Sequence, residues 1–191
     1  MASNPVSKLT AEQYLALDRV AEIRSEFLDG EMFAMSGVSM PHAQLQQNIS
    51  GELHALFRDG DCQAFGPDFR VRVSARMYVY PDVTVACGKP LLADEHQDVL
   101  LNPVVIFEVL SPTTEKYDRG LKFQHYRTIE SLKEYILVAQ DQVRIEQYTR
   151  QEGNIWTLRD YQRLEEELIM SSIGVSIPLA RIYERVELAA G

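Results

Sequence analysis

The hydrophobic and polar positions of this chain change period several times, and each change predicts an element of secondary structure. An amphipathic helix is predicted by four apolar residues at helical spacing: Leu45, Ile49, Leu53 and Leu56. Ser39 can cap this helix, Pro41 fits its first turn, and Gly60 marks its approximate end. Residues 69–76 alternate with a period of two instead, which predicts a strand.

Two local motifs organise the N-terminal part of the chain. Thr10 and Gln13 match a capping box, which predicts a short helix to about Leu17. Asp29-Gly30 is a two-residue turn signal between alternating runs, so residues 23–33 are predicted to form a β-hairpin.

The second half of the chain alternates strands with one helix. Strand patterns cover residues 78–87, 104–110, 134–138, 143–150 and 154–159. Thr113 or Thr114 can cap a helix that runs to about Arg127, and residues 91–102 are predicted to be an irregular surface segment. Residues 177–188 fit either a strand or a helix. Together the elements predict one α/β (α+β) domain in which helices flank a central mixed β-sheet.

The composition narrows the class of protein. A chain of 191 residues suits one domain, which we place at residues 10–188 after a disordered lead-in at residues 1–9. No run of about 18 apolar residues predicts a membrane span, and the N-terminus lacks the pattern of a secretory signal. Cys62 and Cys87 lack metal-type spacing, so we expect buried thiols in a cytoplasmic protein. The net charge of −9 argues against broad adhesion to nucleic acid but leaves room for a local basic surface.

Two carboxylates stand in apolar surroundings. Glu108 lies within residues 104–110, which have the pattern of a central strand covered on both faces. An ionised carboxylate there needs a cation, a hydrogen-bond partner or a raised pKa; the alternative is a strand-end acid that reaches solvent or an arginine. Asp82 interrupts a similar run, where aspartate is a poor strand former, although Pro81-Asp82 is also a turn signal between two short strands.

Lys122 shares one helical face with Asp118 and Tyr126, and on its own it would be read as a surface lysine. Its neighbours in the predicted fold change that interpretation. Two close carboxylates, here Asp82 and Glu108, repel each other unless a divalent cation lies between them, and oxygen ligands suit Mg²⁺ or Mn²⁺. A nearby lysine can orient water and offset charge on a phosphoryl oxygen. The three side chains therefore form a complete set for metal-assisted phosphodiester hydrolysis.

A resemblance to a known family runs through residues 10–161. The segments that carry it, in this order and spacing, are SEFLDGEMFAMSG, the H-A-Q-L helix, YPDVTV, FEVLSPTTEKYDRGLKFQHYR and LKEYILV. They resemble the Uma family (Uma-two) of restriction-endonuclease-like proteins in the PD-(D/E)XK nuclease superfamily. The resemblance implies a restriction-endonuclease-like fold, metal-binding acids at Asp82 and Glu108, and Mg²⁺-dependent cleavage of DNA. Leu110 occupies the lysine position of the strict E-x-K form, and the resemblance implies that Lys122 replaces that lysine.

Two further residues are candidates for the same site. Superfamily members supply an additional acid near the metal from a hairpin like the one that holds Glu26, but Glu26 is also one of several acids in its segment. His42 opens the long helix, as a histidine does in Uma relatives, and it either approaches the site or only helps to close the first turn.

Three arginines form the candidate contact surface for nucleic acid. Arg70, Arg72 and Arg76 are predicted to lie on one strand face, from which guanidinium groups can make charge-assisted bonds to phosphates. The alternative is an ordinary solvated strand face.

The leading prediction is a Mg²⁺-dependent DNA endonuclease, with Mn²⁺ as a possible substitute. We expect a homodimer, because cutting both strands generally requires two active sites. A non-catalytic binding or regulatory module that retains the nuclease fold is the main alternative; the negative charge and the lack of a recognisable DNA-reading domain favour it. A hydrolase of small phosphate esters is a third possibility.

Overall fold

The computed structural model describes residues 8–188, in which strands predominate. In chain order, the strands are β1 (Ser25–Leu28), β2 (Glu31–Ala34), β3 (Cys62–Phe65), β4 (Arg70–Ser74), β5 (Met77–Val79), β6 (Val83–Cys87), β7 (Val99–Leu100), β8 (Val105–Leu110), β9 (Glu134–Ala139), β10 (Ile145–Arg150), β11 (Trp156–Tyr161), β12 (Glu167–Met170) and β13 (Val175–Pro178). The helices are α1 (Ala11–Asp18), α2 (Met40–Leu56), α3 (Glu115–Tyr117), α4 (Phe123–Tyr126) and α5 (Leu179–Ile182).

These strands form three β-sheets. The central sheet has the order β11-β10-β9-β8-β6-β3, in which β8 and β9 are parallel and the other neighbours are antiparallel. A flanking sheet has the order β2-β1-β5-β4-β7, and β12 pairs with β13 in a separate hairpin. The predicted fold class, a mixed sheet flanked by helices, is confirmed, and the flanking sheet and the C-terminal hairpin are additions to the single predicted sheet.

Helix α2 covers one face of the central sheet and follows its predicted pattern closely. The Ser39 hydroxyl accepts a hydrogen bond from the His42 backbone N–H, as an N-cap should. Three of the four predicted core residues are fully buried against the sheet: Leu45, Ile49 and Leu53. The fourth, Leu56, is 43% exposed, and Phe57 is buried in its place. The apolar stripe therefore ends one residue later than the sequence predicted.

Strand β8 lies inside the central sheet, and all six of its residues are buried. Val105, Phe107 and Val109 belong to the core cluster that packs against α2. Ile106 and Leu110 belong to the cluster on the opposite face, with residues of the flanking sheet. Glu108 points to that second face because side chains alternate along a strand. The predicted central, doubly covered strand is confirmed.

The predicted strand over residues 78–87 is wrong, because the chain changes sheets in the middle of it. Strand β5 pairs with β1 and β4 in the flanking sheet, whereas β6 pairs with β3 and β8 in the central sheet. The break falls at Tyr80, Pro81 and Asp82. Proline has no N–H to donate to a ladder, so it favours an interruption here. The turn interpretation of Pro81-Asp82 describes the backbone correctly.

The helix predicted to run to about Arg127 has an irregular interior. Thr114 precedes α3, but its side chain makes no capping hydrogen bond. A π-helical turn at Asp118–Lys122 then joins α3 to α4. This wider turn accompanies the burial of Asp118, Lys122 and Tyr126 on one side of the segment. We call residues 115–126 the helical segment.

The prediction of free thiols is wrong. Cys62 and Cys87 form a disulfide between β3 and β6. The two residues lie directly opposite each other in this antiparallel pair, which brings their side chains together. Their separation of 25 residues in sequence gave no sign of this pairing, because β3 was not predicted as a strand.

The remaining elements divide into predicted and unpredicted ones. The capping box and α1, the β1–β2 hairpin, and β9 to β11 are confirmed. Strands β3, β7 and β12 were not predicted, and the tail forms both β13 and α5. Residues 1–7 of the predicted lead-in lie outside the described residues, while Leu9 donates a backbone hydrogen bond to Gly30. Across residues 8–188, the helices are too short or too polar to cross a membrane.

Replacement of Leu53 by alanine should lower the free energy of unfolding by about 2–5 kcal/mol, because the residue is fully buried and the change leaves a cavity. Leu56→Ala on the same helix is the matched control and should change it by less than about 0.5 kcal/mol. Urea denaturation followed by circular dichroism measures both. Equal losses in the two variants would contradict the observed orientation of α2.

Candidate active site

The residues predicted for the site come from five parts of the fold and line one cavity of about 540 Å³: Glu26, His42, Asp82, Glu108 and Lys122. Strand β1 contributes the first, α2 the second, and the β5–β6 connection the third. Strand β8 and the helical segment contribute the last two. The structure thus brings together every predicted catalytic candidate.

The Lys122 amine lies at the base of this cavity among three carboxylates. Its Nζ is 2.9 Å from Glu108 Oε1, 3.2 Å from Glu26 Oε1 and 3.7 Å from Asp118 Oδ1. Lys122 is only 5% exposed, so these oxygens replace the water that its ammonium group loses on folding. The alternative of a surface lysine is excluded.

Burial and charge act together on this cluster. Burial raises the pKa of Glu108 well above its usual value, and the nearby carboxylates act in the same direction while Lys122 opposes them. For Lys122, burial alone would lower the pKa, but Glu108 and Glu26 outweigh it and hold the pKa well above its usual value. Lys122 is therefore a cation in the folded protein, and each acid that lies near it contributes to keeping it so.

Tyr126 makes a second contact to the Glu108 carboxylate. Its hydroxyl donates a 2.8 Å hydrogen bond to Glu108 Oε1, the same oxygen that faces the Lys122 amine. Burial raises the pKa of Tyr126 well above its usual value, so the hydroxyl keeps its proton. Both contacts fall on Oε1, which leaves Oε2 of the carboxylate available for another partner.

Asp82 is oriented by three donors from two elements. The backbone N–H of Val109 in β8 donates to Oδ2 at 2.6 Å. Gln46 Nε2 donates to Oδ1 at 2.5 Å, and His42 Nε2 lies 2.9 Å from the same atom. Since His42 and Gln46 are one turn apart on α2, a single helix face holds the carboxylate.

Three residues of this arrangement were not assigned by the sequence analysis. Gln46 carried a usable signal, because it lies four positions after His42 on the helix. Asp118 and Tyr126 had been placed on the face of Lys122, but the distance from Glu108 to either could not be derived from the sequence. Their contacts depend on how the helical segment packs on β8.

The prediction of an arginine surface is wrong for Arg70. Arg70 is 2% exposed, and its guanidinium forms ion pairs with Asp18 at 2.7 Å and Asp98 at 3.1 Å. Arg76 follows β4 rather than belonging to it and pairs with Asp29 at 2.8 Å. Arg72 is exposed on β4. The three guanidinium groups therefore do not form one surface, because the buried Asp18 holds the Arg70 guanidinium inside the protein.

The side chains that line the cavity can be compared with the ligands that a divalent cation requires. Within residues 8–188, no group of three or more His, Cys, Asp or Glu side chains is arranged to hold a metal ion. Mg²⁺, however, usually keeps several waters and takes only one or two protein carboxylates. Asp82 and Glu108 both line the cavity with oxygen donors, so this pair fits Mg²⁺ by ligand type and number.

Comparisons with known proteins find one matching family and two similar sequences. The model of the Uma2 family, described as "Putative restriction endonuclease", matches residues 11–180. The uncharacterized protein slr1290 of Synechocystis sp. is 32% identical over 182 residues, covering 95% of this chain and 94% of that protein. A second uncharacterized protein from the same organism, sll1609, is 35% identical over 168 residues, covering 87% and 95%.

One solved structure has a similar fold. It is described as the crystal structure of a putative nuclease belonging to DUF820 from Anabaena variabilis, and it superposes with a TM-score of 0.75. The match covers 92% of this chain and 97% of the other at 15% sequence identity. At that identity the likeness establishes the fold alone.

Lys122→Met should lower the free energy of unfolding by about 3–5 kcal/mol, because it leaves buried carboxylates without their cation. Lys116→Met is the matched control, since Lys116 is exposed on the same segment and should change stability little. The double variant Lys122→Met/Glu108→Gln should recover part of the loss. If the losses of unfolding free energy for Lys122→Met and Glu108→Gln alone add up to the loss for the double variant, Lys122 and Glu108 are not coupled.

Proposed function

The chain belongs to the Uma2 family, and on this premise we propose that it is a Mg²⁺-dependent endonuclease that hydrolyses phosphodiester bonds of DNA. One observation carries the proposal. The amine of Lys122 lies within 3.2 Å of Glu108 and Glu26 in the cavity that Asp82 also lines. Two acids that can bind a metal ion, Asp82 and Glu108, beside the positively charged Lys122 are the groups that metal-assisted hydrolysis of a phosphate ester requires.

Asp82 and Glu108 are the residues that would hold the metal ion. When bound, Mg²⁺ supplies Lewis-acid stabilisation of the negative charge on the phosphate. The protein prepares the two ligands differently. His42, Gln46 and the Val109 N–H keep Asp82 in one orientation, while Tyr126 and Lys122 hold Glu108 through a single oxygen. Such support reduces the reorganisation needed when the ligands bind.

Lys122 acts as a fixed positive charge in this proposal. Its raised pKa makes it a poor general base, because it keeps its proton. A protonated amine can instead donate a hydrogen bond to the attacking water and stabilise charge that develops on a phosphoryl oxygen. Hydrolysis then breaks one P–O ester bond, with the hydroxyl of water added to phosphorus and a proton passed to the leaving oxygen.

Substitution of Asp82 tests the proposal directly. Asp82→Asn should reduce Mg²⁺-dependent cleavage of DNA by about 100-fold or more, because it removes a charged ligand while preserving shape. Asp59→Asn is the matched control, since Asp59 is exposed and does not line the cavity. Cleavage of a labelled oligonucleotide, with and without chelator, measures the effect. Unchanged cleavage in a folded Asp82→Asn variant would refute the assignment.

A second candidate, a non-catalytic module, is favoured by one specific observation. Lys122 already contacts the carboxylates of Glu108, Glu26 and Asp118, so the cluster is electrostatically supported without any added cation. A protein of this kind would retain the fold and its buried ion pairs as structure. The two candidates differ in whether the cavity binds a divalent cation.

Metal titration separates these candidates. Under the nuclease proposal, Mn²⁺ added to the metal-free protein should bind in isothermal titration calorimetry, and Asp82→Asn should weaken that binding by at least about tenfold. Asp59→Asn should bind as the unmodified protein does. Absence of measurable binding to the unmodified protein would favour the non-catalytic module. The predicted homodimer and cytoplasmic location stay predictions.

A further inference from the structure

One part of the cavity lining is not used by the proposed chemistry. This part is the rim segment, residues 33–39, which runs from the end of β2 to the start of α2 and lines the cavity. Phe33 is 50% exposed and Val38 is 53% exposed, although both are large apolar side chains. Phe33 therefore offers an exposed aromatic face within the lining of the cavity.

The register of the β1–β2 hairpin connects Phe33 to the acidic centre. Phe33 lies directly opposite Glu26 in this antiparallel pair, so the two side chains project from the same face of the hairpin. The Glu26 carboxylate is 3.2 Å from the Lys122 amine. Both side chains line the cavity, so the ring lies beside the proposed reaction centre.

The cavity offers little positive charge to a nucleic-acid backbone, whether duplex or single-stranded. Four of the described lining residues are acids: Glu26, Asp82, Glu108 and Asp118. Lys122 is the single Lys or Arg among those lining residues, and it is buried and shared by the acids. Proteins that grip duplex DNA place several Lys and Arg side chains on its phosphates. Proteins that bind single strands add base stacking on aromatic side chains to such contacts, and Phe33 is an exposed ring in the lining of this cavity.

The volume of the cavity limits what can enter it. About 540 Å³ lies within the range of roughly 300–1,000 Å³ that encloses one small molecule. One nucleotide can enter such a space with its base unstacked, whereas a paired nucleotide brings its partner strand with it. Aromatic side chains bind unpaired bases by stacking, because every base has a π-face.

Resting on the nuclease function proposed above, we propose that the substrate is DNA with unpaired nucleotides and that Phe33 stacks on the base next to the cleaved phosphate. In a duplex both faces of each base are already covered by neighbouring bases, so Phe33 has nothing to stack on. In a single strand the base can turn onto the ring while its phosphate faces Lys122. Phe33 is thus a specificity-determining residue, and the carboxylates and Lys122 retain the chemical role.

Cleavage assays with matched substrates test this inference. The same labelled strand is offered alone and annealed to its complement, in the presence of Mg²⁺. The single strand should be cut faster, and Phe33→Ala should slow its cleavage by about tenfold, the size expected for loss of one base–aromatic stack. Phe33→Trp should preserve the rate. Ile155→Ala is the control, since Ile155 is 62% exposed and does not line the cavity.

Binding measured in chelator separates this inference from the nuclease proposal. Fluorescence anisotropy of a labelled single strand should show weaker binding to Phe33→Ala and unchanged binding to Ile155→Ala. If that pattern appears without cleavage of any DNA, the stacking site is supported and the nuclease proposal fails. If duplex is cut at least as fast as single strand, or if Phe33→Ala cuts the single strand normally, the stacking inference is overturned and the nuclease proposal stands.

Discussion

The contact between the Lys122 amine and Glu108 is the interaction on which the site depends. A buried ammonium group is strongly unfavourable unless oxygen atoms replace its water, and Glu108, Glu26 and Asp118 provide them. Those acids come from β8, β1 and the helical segment, so the same requirement that makes Lys122 stable also brings three elements to one point. The cation could not be buried elsewhere on this segment, because that would separate it from its acids.

Asp82 owes its position to the break between the two sheets. The chain leaves the flanking sheet after β5 and enters the central sheet at β6, and Asp82 stands at the start of β6 beside β8. There it accepts the Val109 N–H, one residue beyond Glu108, so the Asp82 carboxylate lies against the strand that carries Glu108. If the strand were unbroken, Asp82 would be a paired residue within the sheet. Its carboxylate could then not accept hydrogen bonds from the side chains of α2 in the same way.

The sequence predicted the parts whose signals are local and missed those that depend on packing. Short-range patterns indicate the α2 helix, the Asp29-Gly30 hairpin and the buried strand around Glu108, and all three elements are confirmed, although Leu56 of the predicted α2 stripe is exposed. Arg70 was misplaced because a period of two assigns its face but not its partners, and the acid that buries it lies 52 residues away in the chain. The Cys62–Cys87 disulfide was missed for the same reason, since it depends on a strand pairing that no local signal indicated.

The buried Arg70 cluster adjoins the acid-lined cavity. Asp18 accepts from Arg70 at 2.7 Å and from the Tyr80 hydroxyl at 2.5 Å, and its other oxygen accepts the Ser25 backbone N–H. Tyr80 lines the cavity, and its backbone N–H lies 3.4 Å from Glu26 Oε1. Because breaking a buried ion pair leaves an unpaired charge, this cluster ties α1, β1 and the sheet break rigidly together. Through Ser25 and Tyr80 the Arg70 cluster reaches the residue next to Glu26 and the connection that carries Asp82.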